Sequence, residues 1–176
     1  GLVGESEILK KVANESQYVN GMQVSGIYTE DEKSVRDFLS DIHMYETYDK
    51  LLENSDAVYI ISSPQRHYHD IRYALEQGKH VLCESPITLS EAQCKELFII
   101  ARENHCVLMD AIKTAYATAY HRMLLLVKTG IIGNPRSIDA TCTSIRSVDM
   151  SDPKAMERSW NSISAWGPTA LLPVLQ

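Results

Sequence analysis

With 176 residues, the chain is long enough for one well-cored domain and little more, and its 44% apolar and 23% charged content is ordinary for a soluble globular protein. Seventeen basic against 23 acidic residues give a formal charge of −6, with no cluster of Lys and Arg, which disfavours a nucleic-acid role. No apolar run approaches membrane-spanning length, and the start lacks a basic, then apolar, then small-residue signal, so a cytoplasmic protein without a membrane partner is expected.

In chain order, Gly1-Leu2-Val3-Gly4 runs directly into a helix pattern, Ile8, Leu9, Val12, Ala13, with Glu5 and Ser6 as first-turn residues. By itself a Gly-x-x-Gly opening a helix is explained by a turn or a cap. Residues 24–28 read as a strand ending in Thr29-Glu30-Asp31, and 34–41 as a short helix through Val35, Phe38 and Leu39. Met44 and Tyr45 suggest a brief edge strand, and Thr47 caps a turn of helix at 48–52.

Two apolar runs, 57–61 and 80–83, do not alternate with polar residues, as befits strands covered on both faces of a parallel sheet. Between them Asp70 is expected to cap a helix carrying Ile71, Ala74 and Leu75 on one face, with Gly78 ending it at a left-handed position. This is a βαβ unit. Ser90-x-x-Gln93 reads as a capping box before the stripe Cys94, Leu97, Phe98 and Ala101, and 106–109 as the next strand, with Asp110 to Lys113 leaving its carboxyl end. Residues 117–129 are helical by pattern, stopped by Gly130 and the Gly133-Asn134-Pro135 turn, and 136–144 alternate as a strand does. The expected fold class is α/β, a doubly wound parallel sheet. In such a sheet ligands bind outside the carboxyl ends of the strands, which places residues 62–67 and 84–86 on the working edge.

At that edge Gly78-Lys79-His80-Val81-Leu82-Cys83-Glu84-Ser85-Pro86, with His67 ahead of the helix, resembles the Gly-Lys-His-Val-(x)2-Glu-Lys-Pro signature of the Gfo/Idh/MocA family. The resemblance implies a Rossmann-type dinucleotide-binding domain over 1–115 and, over 116–176, the beginning of an α+β domain for substrate and oligomer contacts. It aligns Gly1 and Gly4 with the second and third small residues of the Gly-x-Gly-x-x-(Gly/Ala) fingerprint, so that the first strand would lie upstream. Two strands would then lack a neighbour, and the chain alone would be expected to aggregate.

The family's cofactor is NAD or NADP, and Gly1, Gly4, Thr29, Glu30, Ser62, Ser63, His67, Glu84 and Pro86 are the residues the resemblance assigns to holding it. Thr29 stands where the family often has a ribose-binding acid; a missing acid leans toward NADP, yet only Lys33 is close in sequence to meet a 2′-phosphate. The family's catalytic lysine is Ser85 here, and the aspartate and histidine of its second domain read Ala165 and Thr169. Lys113 is the candidate replacement cation.

The resemblance therefore implies an oxidoreductase of sugar, cyclitol or nucleotide-sugar hydroxyls, a homo-oligomer with impaired catalysis; the alternative is a non-catalytic nucleotide-binding or assembly module. No metal is expected: His67-x-His69 lacks further ligands, and Cys83, Cys94, Cys106 and Cys142 show no Cys-x-x-Cys spacing and read as free buried thiols.

Overall fold

Five short strands, β1 (Leu2–Gly4), β2 (Ile27–Tyr28), β3 (Ala57–Ile61), β4 (His80–Cys83) and β5 (Leu108–Asp110), form one parallel sheet in the order β2-β1-β3-β4-β5. This is seen in a computed structural model that describes residues 1–36, 39, 41–143, 151 and 162–176. A parallel bridge joins Ile27 to Met44, with Ile27 N donating to His43 O and Tyr45 N to Ile27 O, both at 2.8 Å, so the brief edge pairing at Met44 forms beyond β2.

The first strand is present, which corrects the expectation that it lies upstream. Residues 2–4 occupy the central place, Leu2 opposite both Ile27 and Tyr59 and Gly4 opposite Ile61. Three residues suffice because Leu2 and Val3 are both buried, one in each of two separate cores. With both interior edges paired, the reason for expecting aggregation is gone.

The crossovers run outward in both directions from β1 and β3, which puts helices on both faces. On one face α1 (Ile8–Ser16) and α2 (Glu32–Arg36) close a core of Leu2, Leu9, Ile27, Val35 and Leu39. On the other, α3 (Tyr48–Glu53), α4 (Pro64–Glu76) and α5 (Glu91–Glu103) pack on Val3, Val58, Ile60 and Val81. Full burial of Ile71 and Leu75 on α4 contributes roughly 2 kcal/mol each. Thr47 caps α3 as expected, its Oγ1 accepting from Lys50 N at 3.3 Å.

Several local expectations are corrected. α4 starts six residues before Asp70, with Pro64 in its first turn and Ser63 as the extended residue before it. Proline's fixed φ and absent N–H suit that position, so Asp70 lies inside the helix, buried, and Gly78 at φ +72° still ends the segment. Ser90 precedes α5 in an extended conformation without a side-chain cap bond; Thr88 instead donates its hydroxyl to Ser90 O at 2.7 Å and accepts from Ser90 N at 3.2 Å. β5 begins two residues later than expected. All four cysteines are free, but only Cys83 is fully buried.

The chain divides into two units, Gly1–Asp110 and Ala111–Gln176. The second contains α6 (Lys113–Tyr116), α7 (Thr118–Lys128) and α8 (Ser162–Leu175) among its described residues. The strand expected over 136–144 is not formed at 136–143, and 144 lies outside the described residues. Alternation marks a strand only where another strand takes up its backbone N–H and C=O groups, and none in the described part of this unit does so. Among the described residues no helix is long and apolar enough to cross a membrane, and no group of His, Cys, Asp or Glu could hold a metal ion.

Candidate functional site

The carboxyl edge of the first unit begins at the turn from β1 into α1. Gly4 has φ +123°, and a Cβ there would stand 2.3 Å from the carbonyl oxygen of Ile61 on β3, so only glycine fits. This turn moves the fingerprint by one glycine. Gly4 becomes its first residue, Ser6 takes the second glycine's place and Leu9, buried in the core, the third. Ser6 closes the helix entry, its Oγ accepting from Ile8 N at 3.3 Å and its carbonyl from Leu9 N at 3.0 Å. Gly1 lies before β1, at the amino end of the sheet against Leu51 and Ser55, and the strand separates it from the edge where a dinucleotide would lie. Its assignment to cofactor binding is therefore corrected. A strand, a glycine that tolerates no side chain and a helix entry still fit a pyrophosphate, with one glycine where the motif has three.

Beside this turn, the end of β2 brings up Thr29 and Glu30. Thr29, buried, donates its hydroxyl to Glu5 Oε1 at 3.2 Å and accepts from Asp31 N at 3.1 Å. Glu30 is not solitary: its Oε2 lies 2.6 Å from Nη1 of Arg66, in the first turn of α4. Nη2 of the same guanidinium is 3.4 Å from Asp70 Oδ1, and Asp70 Oδ2 accepts from Ser62 Oγ at 2.8 Å. Burial works against the Arg66 charge, but Asp70, Glu30 and Glu5 outweigh it and raise its pKa. Arg66's role is not legible in the sequence, because its partner Glu30 is 36 positions away. Ser62, buried, spends its hydroxyl on Asp70, while Ser63 makes no cap bond at the helix entry.

The loops after β3 and β4 meet at His67. Fully buried rather than facing solvent, its ring has Nδ1 2.9 Å from the carbonyl oxygen of Pro86 and Nε2 2.9 Å from that of Ser62. A neutral imidazole has one N–H, so it donates to one of these carbonyls at a time; only the imidazolium donates to both. Burial is the largest influence and lowers the His67 pKa, against the pull of both carbonyls, Asp70 and Glu84.

The signature loop is anchored from both sides. The Tyr59 hydroxyl donates to Glu84 Oε1, and burial together with this carboxylate raises the Tyr59 pKa. Ser85, joined to Pro86 by a cis peptide, directs its Oγ to Asp110 Oδ2 at 3.4 Å, at the end of β5. Burial, then Asp110, Glu84 and Asp70, keep the Cys83 thiol well above its ordinary pKa, so it is not a thiolate nucleophile. Lys113 opens α6 in the second unit, and positions 165 and 169 fall one turn apart on α8.

Residues 1–111 match the family described as an oxidoreductase family with an NAD-binding Rossmann fold. The chain is 36% identical over 100 residues to dTDP-3,4-didehydro-2,6-dideoxy-alpha-D-glucose 3-reductase of Actinomadura kijaniata, covering 56% of this chain and 30% of that one. It is 34% identical over 95 residues to the D-xylose 1-dehydrogenase (NADP(+)) of Hypocrea jecorina, covering 53% and 24%. Among solved structures, KijD10, a 3-ketoreductase from Actinomadura kijaniata in complex with TDP-benzene and NADP, superposes with a TM-score of 0.66 at 27% identity, over 76% of this chain and 44% of that one. An NAD-binding protein from Listeria innocua shares the fold over 99% of this chain and 52% of its own, at TM-score 0.78 and 19% identity. The chain thus spans about a third or less of the length of these two curated relatives. Over residues 1–111 the chain is a member of the Gfo/Idh/MocA family of oxidoreductases, whose cofactor is NAD or NADP.

Proposed function

We propose that the protein binds a nicotinamide dinucleotide along the Gly4 turn, the Thr29 and Glu30 end of β2 and the 62–67 and 84–86 loops, and that it belongs to the sugar, cyclitol or nucleotide-sugar branch of its family with hydride transfer impaired. The carrying observation is the Gly4 turn, closed to any side chain and set against Ile61 and Ser62 at the same carboxyl edge of the sheet from which the loop of Glu84, Ser85 and Pro86 leaves β4. When bound, the nicotinamide supplies the hydride chemistry. The helix entry at Ser6 to Ile8 would face the pyrophosphate, and Glu84, steadied by Tyr59, would shape the floor under the nicotinamide. Ser63 stands at the entry to α4 beside this path. Sugar-like substrates are named for several relatives, and they are carried to this protein by family membership.

The impairment rests on Ser85. Its hydroxyl, directed toward Asp110, can hydrogen-bond but carries no positive charge and does not titrate near neutrality, so it replaces a lysine poorly. Each lost acid-base group is worth roughly a hundredfold to ten-thousandfold in rate. Thr169 and Ala165 stand in for two further groups of the family pattern, and Lys113 is a candidate replacement cation. The same Ser85 to Asp110 contact favours the second reading, a non-catalytic nucleotide-binding or assembly module. A cytoplasmic homo-oligomer is part of the proposal in either case.

The test is a fluorescence and calorimetric titration of the native protein with NADH and NADPH, followed by a turnover screen with polyols, aldoses and nucleotide sugars. Binding with little or no turnover is expected, and Ser85→Lys alone is expected to recover only a small part of the rate, because groups acting as a unit are non-additive. Absence of binding at millimolar cofactor overturns the proposal. Robust turnover by the natural sequence overturns the impairment and makes Lys113→Ala the next variant to assay.

A further inference from the structure

The end of β2 and the first turn of α4 enclose a charge arrangement that bears on which dinucleotide is taken. We infer that this edge selects an unphosphorylated adenosine ribose, NAD over NADP, and that Arg66 is the positioning residue behind the choice, because it holds the Glu30 carboxylate at the end of β2. The inference rests on reading this edge as the dinucleotide site.

Arg66 is the cation the fold brings to Glu30, and its charge is already engaged. One side of its guanidinium meets Glu30 at 2.6 Å and the other Asp70 at 3.4 Å. Asp70 cannot follow a ligand outward, since it is buried and receives the Ser62 hydroxyl at 2.8 Å. Arg66 is therefore tethered from below. A 2′-phosphate, carrying close to two negative charges at neutral pH, would have to displace Glu30 from this guanidinium. It would then sit beside Glu30, Asp70 and Glu5, the three carboxylates that already act on Arg66.

A ribose diol meets the opposite situation. Its hydroxyls donate, and carboxylate oxygens accept. Glu30 uses Oε2 on Arg66, which leaves Oε1, and Glu5 uses Oε1 on Thr29, which leaves Oε2. Glu30 thus does the work of the acid that is absent at Thr29, one residue along, and Arg66 gives it a fixed place. The pair contributes little to stability, since the Arg66 and Glu30 side chains are 31% and 61% exposed. Its use is in recognition.

The experiment compares dissociation constants for NADH and NADPH, by nicotinamide fluorescence at fixed ionic strength, in the native protein and in Arg66→Ala, Arg66→Lys and Glu5→Gln with Glu30→Gln. The native protein is expected to bind NADH at least about tenfold more tightly than NADPH, a ratio that one unfavourable charge contact is enough to produce. Arg66→Ala should weaken NADH several-fold more than NADPH, and Arg66→Lys, which keeps the charge beside Glu30, should restore most of the ratio. The double glutamine variant should narrow the ratio from the other side, by admitting NADPH. Equal binding, or tighter NADPH lost on Arg66→Ala, overturns the inference while leaving the dinucleotide site intact, as does an unchanged ratio in Arg66→Ala. Failure of both cofactors to bind overturns the site itself and the inference with it.

Discussion

Alanine at position 4 is expected to cost about 3–5 kcal/mol, a large part of the roughly 5–15 kcal/mol that keeps a domain folded, because overpacking and left-handed strain each contribute roughly 1–3 kcal/mol. The added Cβ would stand 2.3 Å from Ile61 O and 2.5 Å from Ile61 C, backbone atoms held in the β1 to β3 ladder that cannot step aside. Gly78→Ala is the matched control, since Gly78 also has positive φ but nothing lies within 4 Å of its Cβ position. That variant should lose only about 1 kcal/mol. Urea denaturation followed by circular dichroism compares them. A Gly4→Ala protein as stable as Gly78→Ala would show that β1 does not sit against β3 as described.

Replacing His67 with phenylalanine is the second large effect. The phenyl ring is larger than the imidazole in a fully buried site, so overpacking adds roughly 1–3 kcal/mol, and the Ser62 and Pro86 carbonyls, 2.9 Å from the ring nitrogens, lose the one N–H they share, an unsatisfied buried acceptor costing about 1–3 kcal/mol. A loss of about 2–4 kcal/mol is expected, together with weaker dinucleotide binding, since both edge loops are freed. The wild-type protein should also carry a pH signature that the variant lacks. The folded-state pKa of His67 is lowered by burial, so between it and the ordinary histidine value of about 6.5 the unfolded chain binds the proton and the folded chain does not. His67 is neutral in both states above that window and its contribution is whole there; it is lost as pH falls through about 6.5. Urea midpoints at pH 7.5 and 5.5 for both proteins isolate His67 from the other histidines. Identical pH slopes would rule out this linkage.

Much of this architecture was legible because it is local. The runs at 57–61 and 80–83 with Gly78 between them identify a βαβ unit without reference to anything else in the chain, and Thr47 announces α3 within four residues. β1 was illegible for a physical reason: two apolar residues between glycines have no periodicity, and only the partners at Ile27 and Tyr59 make them a strand. The start of α4 was misplaced because an acid can cap a helix or be buried inside one, and the pocket formed by Ser62 and Arg66 decides in favour of the second for Asp70. At the site, Glu84, Ser85 and Pro86 stood out through contiguous residues. Arg66 and the buried clamp of His67 did not, since each depends on groups from different crossovers.

The position of β1 between β2 and β3 also has a kinetic side. β3, α4, β4, α5 and β5 are joined by successive crossovers between neighbouring strands, whereas Gly4 must wait for Ile61, 57 residues later, before its second ladder can close. Closing the longer loop costs more chain entropy before any contact repays it. The 57–110 half is therefore expected to fold first and to offer the exposed edge of β3 as a template, into which the earliest part of the chain is inserted last. In pulse-labelled hydrogen exchange during refolding, the amides of β4 should gain protection before those of β1. Simultaneous protection would mean that the sheet nucleates across its centre, with the amino-terminal residues acting as part of the seed.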